Sequence, residues 1–468
     1  MAIAGARIGA VIVGLVFSFG LNGAKIEKIV EETIDLVPSP NNGASPLWCF
    51  GSSIFVRDAD RIYLSLLRPD AAYEPSCNAH WEVWGRDSNV WEQQFTGGSG
   101  LEREPCPLGL LGSGELVLSI HPKFAVKPFQ DGKGDVSWYC QPNLLGIDPD
   151  ATDNDAAYSH YHPIFPNGAQ FTQHSYRGMG IDRKSRDILL MVIDQREEHY
   201  QPSWKDGEGK WRVLPLVEFP IRSCYPQIAL KDGAAHVLAI GDIVEPVEEW
   251  RNAKYRELGS DWDYVFRRLF YTWTPRMEES GFVEPIEIDS VDETGGHLLN
   301  LDLYLDEQNR AHLLYLKKPY QHAFMRDRYF PGEAMTVSLE YVVIDEGRVV
   351  SRHTLVKGST ENVDSKSESE MEIRYGRFHP LSNGSLGVIY SGIWGDRVDN
   401  QSGMFFSTIS ENGQLLGHKT LPVDRPITGT FFTNSPRSGS DVGDRLDVIG
   451  ALRGDGVYEM RYLGFEMK

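Results

Sequence analysis

A strand–turn–strand unit recurs along the chain and constrains its fold more than any other feature. In its clearest copy, residues 178–193, a short apolar run is joined by a charged turn to the near-continuous apolar run 188–193. Short apolar runs bounded by turn residues are typical of buried strands. A polar cluster, His174 to Arg177, directly precedes the first strand of this copy. The unit is therefore a buried hairpin with chemically versatile side chains at its start.

Seven copies of this unit are spaced regularly, the last of them degenerate. Their central turns lie near residues 59, 113, 184, 232, 308, 383 and 444, so the mean period is about 64 residues. Each turn carries Asp, Asn, Gly or Ser, which tolerate tight hairpin turns. More polar strand-like pairs lie between the copies, so each period holds about four strands. Four strands repeated seven times predict an all-β fold, a seven-bladed β-propeller of four-stranded antiparallel blades.

The two ends of the chain are predicted to share the last blade. The seventh copy supplies only a third strand, 457–467, and residues 25–37 have the composition of an outer strand. We predict that this N-terminal segment completes the last blade and removes an open sheet edge. Residues 245–259 have helix-forming composition and end in Gly259, which predicts a short helix inserted in blade four. The propeller is expected to form one domain over residues 25–468.

Residues 1–24 resemble a secretory signal peptide. Arg7 is their only charged residue, an apolar run of 14 residues covers 8–21, and small residues close the segment at 22–24. The run is shorter than the roughly 20 residues that cross a bilayer. We therefore predict cleavage and a secreted or periplasmic protein, with a retained anchor as the alternative. No later segment predicts a membrane span.

Charge and composition exclude some classes of partner. The formal net charge is −20 and no basic stripe stands out, so the sequence does not predict nucleic-acid binding. The chain is 41% hydrophobic and 11% aromatic, which suffices for a large packed core. No cofactor is predicted and we expect a monomer. The acidic run Asp148, Asp150, Asp153 and Asp155 allows a structural calcium ion, but it lacks the Gly and Glu of an EF-hand, so a solvated loop is favoured.

The five cysteines are too few and too odd in number for a disulfide scaffold. Cys49, Cys106 and Cys224 each begin an apolar strand, so we interpret them as small buried hydrophobic residues. Cys77 and Cys140 could form a bridge, although nothing in the sequence fixes this pairing.

Polar and aromatic side chains gather where the inner strands are predicted to start. Because the innermost strand of every propeller blade begins near the central axis, these positions should converge. Arg occurs in four of the six clearest positions, which predicts a cationic mouth on an acidic protein. Arg suits carboxylate or sulfate, and Tyr and His can move protons, so the pattern favours an anionic ligand. Alternatively, these Arg residues pair with Glu104, Asp302 and similar groups to hold blade to blade.

The blade pattern and these clusters resemble BNR-repeat, sialidase-like seven-bladed propellers, especially polysaccharide lyases of the ulvan lyase type. In such lyases a His/Tyr pair abstracts the C5 proton of a uronate and protonates the leaving oxygen, while Arg neutralises the carboxylate. The resemblance implies His174, Tyr176 or Tyr225 as base and acid. It implies Arg177 or Arg222 as the carboxylate clamp.

The sequence also departs from this family. The lyase pattern has a His before the second-blade strand, where this chain has residues 103–106 (REPC), and only His121 lies near the position of a second His. The Ser-x-Asp-x-Gly-x-x-Trp hairpins of sialidases are absent from the sequence. Sialidase activity is therefore not favoured.

The resemblance implies a polysaccharide lyase that cleaves an anionic, uronate-containing glycan by β-elimination. The predicted substrate-binding residues are Arg103, Glu104, Arg177, Arg222, His297, Asn300, Asp302, Arg374 and Arg377. A glycoside hydrolase would use two carboxylates, with Glu104 and Asp302 as the candidates. A glycan-binding propeller without catalysis would need only the Arg and aromatic residues.

Overall fold

Seven four-stranded antiparallel sheets form the predicted β-propeller. The computed structural model describes residues 25–48, 50–73, 76–87, 89–97, 100–127, 137–151, 157–259, 263–360, 371–395 and 401–468. The predicted signal peptide, Cys49, Asp153 and Asp155 lie outside these ranges. Within them, the inner two strands of a blade are almost fully buried, as in Asp187–Asp194, whereas outer strands such as Arg348–Ser359 alternate in exposure. This difference matches the apolar and polar halves of each sequence period.

The first strand of the chain closes the ring. Strand β1 (Ile26–Pro38) pairs antiparallel with β32 (Val457–Met467) and forms the outer edge of blade seven. The prediction of closure by the N-terminal segment is confirmed. The backbones of Lys25 and Lys468 exchange hydrogen bonds of 2.6 and 2.8 Å, so the pairing extends beyond Ile26 and Met467, with two bulges along β1.

Blades one to three follow in chain order, each from the axis outward. Blade one contains β2 (Phe55–Asp58), β3 (Arg61–Pro69), β4 (Ala79–Asp87) and β5 (Val90–Thr96). Blade two contains β6 (Leu108–Leu110), β7 (Leu116–Ile120), β10 (Asn143–Ile147) and β11 (Tyr158–Tyr161), with an extra hairpin of β8 (Lys123–Lys127) and β9 (Ser137–Cys140). Blade three contains β12 (Gly178–Asp182), β13 (Asp187–Asp194), β14 (His199–Lys205) and β15 (Trp211–Val213).

Blades four to seven complete the ring. Blade four contains β16 (Ser223–Lys231), β17 (Ala234–Gly241), β20 (Arg268–Thr274) and β21 (Ile286–Ser290). Blade five contains β22 (His297–Leu305), β23 (Ala311–Lys318), β24 (Thr336–Asp345) and β25 (Arg348–Ser359). Blade six contains β26 (Glu372–Pro380), β27 (Leu386–Trp394), β28 (Gln401–Ile409) and β29 (Leu415–Thr420). Blade seven contains β30 (Phe431–Thr433) and β31 (Arg445–Arg453) besides β32 and β1.

Two helices interrupt the strand pattern. Helix α1 (Glu248–Leu258) lies in blade four between the short strands β18 (Ile243–Val244) and β19 (Tyr264–Val265). Gly259 caps it in the left-handed conformation, with φ of 63°, and its N–H bonds to Tyr255. This confirms the predicted helical insertion. Helix α2 (Ala323–Tyr329), in blade five, was not predicted, because its seven residues are too few to show helical periodicity.

Blade seven begins earlier than its degenerate repeat indicates. The sequence pattern places its hairpin turn near residue 444, but the inner strand β30 ends at Thr433. A long connection containing a 3-10 helix, Pro436–Ser438, then leads to β31. This connection carries Arg437 to the central axis, where it becomes part of the site described below.

Four cysteines lie in the described ranges, and all of them are buried and in the thiol form: Cys77, Cys106, Cys140 and Cys224. The burial predicted for Cys106 and Cys224 is therefore confirmed. Neither helix in these ranges has the length and hydropathy that a membrane span requires.

Candidate functional site

The inner strands begin at one face of the ring, which we call the mouth face; the first hairpin of each blade turns at the opposite hairpin face. The segment Phe50–Ser52 lies in the axis between these faces. Its Phe50 and Gly51 carbonyls accept hydrogen bonds from Arg377 (2.8 Å) and Arg437 (2.9 Å). The Ser52 hydroxyl accepts one from the backbone of Met179 (2.9 Å). This axial segment therefore contacts blades three, six and seven and fills the centre of the predicted pocket.

Gly51 is required by this close approach. A Cβ atom on Gly51 would lie 2.6 Å from the Tyr225 carbonyl oxygen and 2.7 Å from that of Pro226. Both neighbours are backbone atoms of an inner strand, which cannot move independently of blade four. Only glycine therefore fits at this position of the axial segment.

A buried charge cluster surrounds the axial segment. Asp302 accepts hydrogen bonds from Arg437 (2.9 Å) and from the backbone of Phe378 (3.0 Å). Arg377 lies 3.6 Å from Asp302 and also donates to the carbonyls of Leu301 and Phe431. The three charged side chains are at most 4% exposed. Arg377 and Asp302 thus hold blades five, six and seven to the axial segment. This agrees with the alternative interpretation of the sequence, in which these Arg residues pair with carboxylates to hold blade to blade.

A second buried cluster joins blades two and three. Glu104 accepts hydrogen bonds from Arg103 (3.1 Å), from the hydroxyl of Ser175 (2.6 Å) and from the backbone of Tyr176 (3.2 Å). Arg177 is 2% exposed and donates to the carbonyls of Pro105 and Ser119, both at 3.2 Å. These contacts use Glu104, Arg103 and Arg177 to fix the start of blade three.

Glu102 belongs to the same cluster and was missed by the sequence analysis. It lies 3.4 Å from Arg177 and accepts a hydrogen bond from the backbone of His121 (2.7 Å). Burial raises the pKa of Glu102 to about 7, against the opposing effect of Arg177. Burial also lowers the pKa of His121 to about 3, so this imidazole stays neutral at physiological pH. Glu102 precedes the predicted cluster by one residue, and no pattern distinguishes it from Glu104.

Three partly or fully exposed side chains of the mouth, His174, Tyr176 and Arg222, lie at the starts of blades three and four. Tyr176 is half-buried and meets the ring of Tyr225 edge to face, with centroids 5.3 Å apart. The Arg222 guanidinium lies 5.3 Å from the centroid of Tyr176. Burial raises the pKa of Tyr176 well above its usual range, with Asp242 adding to the effect, so its phenol stays protonated at neutral pH. We call Tyr176, Tyr225, Arg222 and His174 the aromatic mouth.

Both tyrosines adopt unusual backbone conformations. The φ angles of Tyr176 and Tyr225 are 40° and 50°, in the left-handed region that bulky residues rarely occupy. A bulge in β16 between Cys224 and Gln227 accompanies the second. Such strain costs about 1–3 kcal/mol per residue and concentrates at functional sites. Bulges likewise re-aim side chains near active sites.

Arg222 keeps free donors at the mouth. Its Nη1 donates to the carboxylate and to the carbonyl of Asp242, the latter at 3.0 Å. Within the described ranges, no hydrogen bond uses its Nε or Nη2. The side chain is 21% exposed. Arg222 can therefore offer a second hydrogen-bonding edge to an anion.

The remaining predicted residues lie around this region. His174 is exposed, with its ring stacked 6.1 Å from Tyr176. The His297 ring contacts the ring of Phe266, with centroids 6.0 Å apart. Burial lowers the pKa of His297 to about 4. Asn300 is fully buried and donates to the Tyr225 carbonyl (2.8 Å). Arg374 is exposed and pairs with Glu372 at 3.0 Å. The structure thus brings His174, Tyr176, Tyr225 and Arg222 together, whereas Arg374 points away into its own ion pair.

A groove of about 400 Å³ lies on blades two and three, beside the aromatic mouth. Its aromatic walls include Phe124, Tyr139, Phe165 and Phe171. The segment that begins with Phe171 runs on to His174, and Tyr139 is bridged to Thr172. His121 lies beneath this wall, bonded to the Thr172 carbonyl at 2.9 Å. The groove was missed because its walls come from the β8–β9 hairpin and from the connection between blades two and three, and neither follows the repeat.

The hairpin face contains a larger cavity of about 1330 Å³. It is lined by hairpin turns of blades three to six and by the connection that carries Arg437. No predicted site residue lies in it.

No group of three or more metal-ligating side chains occurs in the part of the chain that the structure describes. Asp150, from the acidic run considered for calcium, pairs instead with Arg61 at 2.5 Å.

Comparison with known proteins gives a fold. No family model and no curated protein matches the sequence. An ulvan lyase bound to -[GlcA(1-4)Rha3S]-, from a new family of polysaccharide lyases, superposes with a TM-score of 0.50 at 11% identity, covering 93% of this chain and 95% of that chain. Another structure of an ulvan lyase gives 0.49 at 11%, covering 92% and 93%. An α-L-arabinanase from Penicillium chrysogenum gives 0.45 at 10%, covering 94% and 98%. At such identities the likeness defines the fold alone.

Proposed function

We propose that this chain is a carbohydrate-active propeller that cleaves an anionic, uronate-containing polysaccharide by β-elimination at the aromatic mouth. The observation that carries the proposal is the pair of strained tyrosines, Tyr176 and Tyr225, beside the free edge of Arg222. The substrate class is supported by the glucuronate-containing ligand of the ulvan lyase that shares this fold.

We assign Arg222 the role of binding the substrate carboxylate and offsetting its charge. A uronate C5 proton becomes acidic only when the adjacent carboxylate charge is offset, which the Nε and Nη2 donors of Arg222 can do. Asp242 holds the opposite edge of the guanidinium and so fixes its orientation. The Tyr176 ring beneath it supplies a cation–π contact.

We assign His174 the role of general base and Tyr176 the role of general acid. The exposed imidazole of His174, in its neutral form, takes the C5 proton, and the electron pair of the C5–H bond forms the C4=C5 double bond. The C4–O bond breaks, and the leaving oxygen takes the phenolic proton of Tyr176. A raised Tyr176 pKa suits this role, since the phenol is protonated before the reaction. Tyr225 is buried and packs on Phe50 at 4.8 Å, so it positions Tyr176.

Hydrolysis by Glu104 and Asp302 is not favoured by the geometry. Both carboxylates are at most 2% exposed and accept hydrogen bonds from Arg side chains and from backbone N–H groups. A general base needs a free lone pair and room for a water molecule. Glycan binding without catalysis is the second candidate. Arg103, Arg177 and Arg377 are engaged within the fold, so Arg222 is the main cation at the mouth. One cation beside aromatic rings is enough to bind an anionic sugar without any proton transfer.

The test is incubation of the purified protein with uronate-containing polysaccharides while the ultraviolet absorbance of the unsaturated product is recorded. We expect Tyr176→Phe and His174→Ala to lower kcat by about 100-fold or more, since each removes a proton-transfer group. Tyr255→Phe, on the exposed side of α1, is the matched control and should leave kcat unchanged.

New reducing ends without absorbance would replace the lyase with a hydrolase. Saturable binding without either product would favour the second candidate. Full activity in both folded mouth variants would overturn the assignment of the aromatic mouth.

A further inference from the structure

Two buried thiols from distant parts of the chain meet beneath the groove. Cys77 and Cys140 are 0% and 2% exposed and form a small apolar cluster with Leu101. The two side chains are hydrogen-bonded to each other, which together with burial raises the pKa of Cys140. Cys77 comes from the β3–β4 connection of blade one, and Cys140 ends β9 in blade two.

Lys123 contacts the backbone near both cysteines. It is the cross-strand partner of Cys140 in the β8–β9 hairpin. Its ammonium group donates to the Cys77 carbonyl at 2.9 Å, and its backbone N–H donates to the Leu101 carbonyl at 3.2 Å. The same ammonium lies 4.2 Å from the centroid of the Trp138 ring. The contacts of Lys123 therefore hold the backbone segments of Cys77 and Cys140 next to each other without any covalent bond between the sulfur atoms.

We propose that Cys77 and Cys140 form a disulfide that ties the β8–β9 hairpin to blade one. A disulfide oxidant accepts the first thiolate as a mixed disulfide, and the second thiolate displaces it. Two S–H bonds are lost and one S–S bond forms, while two electrons and two protons leave with the oxidant as two thiols. From hydrogen-bond contact, the sulfur atoms need to approach by about 2 Å.

The other described cysteines have different partners. The Cys106 sulfur accepts from Arg177 at 3.5 Å, and Cys224 hydrogen-bonds to Asp242. Burial also raises the pKa of Cys106 well above its ordinary value, so its thiol stays protonated and unreactive. Pairing is therefore specific to Cys77 and Cys140 among these four.

The bridge has a consequence for the groove beside the aromatic mouth. Cys140 lines that groove, next to Tyr139, and Phe124 on the facing strand is 66% exposed. The β8–β9 hairpin lies outside the four-stranded sheet of blade two, so few ladder bonds hold it. A bridge to blade one would fix this wall and its aromatic side chains.

The experiment uses the full chain refolded in a buffer of reduced and oxidised glutathione, then alkylated and digested without reduction. We expect one cross-linked peptide pair containing Cys77 and Cys140. Reduction should lower Tm by roughly 5 °C, since the bridge closes a long loop of the unfolded chain. The matched control Cys106→Ala should keep both the cross-link and the Tm response.

The Cys77→Ser and Cys140→Ser variants should each lose the cross-link and the Tm response. If either fails to fold, peptide mapping of the wild-type chain decides alone. Complete alkylation of both thiols after oxidative refolding, a different pairing, or an unchanged Tm on reduction would each overturn the proposal.

Discussion

The two ends of the propeller axis are built differently. On the mouth side, the axial segment Phe50–Ser52 fills the axis: Phe50 packs on Tyr225, and buried arginines bond to the carbonyls of the segment. At the hairpin face, a cavity of about 1330 Å³ remains. The difference teaches that polar residues at the inner-strand starts first serve to hold the ring together. The proposed chemistry lies in the sector of blades three and four, where Tyr176 is half-buried and Arg222 is 21% exposed.

The largest effect is expected from Asp302, at the filled end. Asp302→Ala leaves two buried guanidinium groups, Arg377 and Arg437, without their carboxylate. Removing one partner of a buried ion pair costs about 3–5 kcal/mol. Urea unfolding should show this loss, whereas the exposed control Arg374→Ala should change stability by less than about 1 kcal/mol. Equal effects at the two positions would mean that the axial cluster does not hold the ring.

A smaller loss is expected from a single added methyl group. Gly51→Ala forces a Cβ against two backbone carbonyls of blade four, which should cost about 3 kcal/mol. Gly443→Ala is the matched control at the hairpin face, because its added Cβ meets no atom within 4 Å. Thermal unfolding of both variants measures the contrast between the ends. A tolerated Gly51→Ala would show that the axial segment is loosely packed.

The smallest effect concerns pH and should be similar at both ends. Burial lowers the pKa of His297 at the mouth, and of His379 near the hairpin face, from 6.5 to about 4. Between these values the unfolded chain binds more protons than the folded chain, so stability falls as the pH is lowered from about 6.5 towards 4. Each histidine should contribute on the order of 2 kcal/mol by pH 5.

Urea unfolding of His297→Gln and His379→Gln at several pH values measures this contribution. Each variant should flatten the acid side of the stability curve. Glu102 acts in the opposite direction, because its pKa is raised to about 7, so its contribution is lost as the pH rises through that value. A flattening confined to His379→Gln would mean that the mouth end is more open to water than its packing indicates.

The fold could be predicted because its signals are local and repeated. Short, near-continuous apolar runs and turn residues identify the hairpins, and Gly259 marks the end of α1. Closure by β1 followed from counting strands in the last repeat. The position of β30 could not be predicted, since only three residues form it and the 3-10 helix that follows interrupts the hairpin.

The location of the candidate site could be predicted from the sequence, but the role of each residue in it was harder to predict. Convergence of the inner-strand starts brings Tyr176, Tyr225 and Arg222 together. The engagement of Arg377 could not be foreseen, because its partners are the carbonyls of Phe50, Leu301 and Phe431, and carbonyl groups carry no sequence signal. The sequence therefore shows where charge gathers, whereas the backbone decides which charges stay available.

The pairing of β1 with β32 also constrains how the protein is made. Pro38 pairs with Val457, so the outer strand of blade seven is translated before the other six blades and its partner after them. During synthesis β1 has no ladder to join, and its hydrogen-bonding groups remain open to wrong partners. Blades one to six can assemble as an open arc in the meantime. The ring then closes in one late, long-range step, which should dominate the folding time.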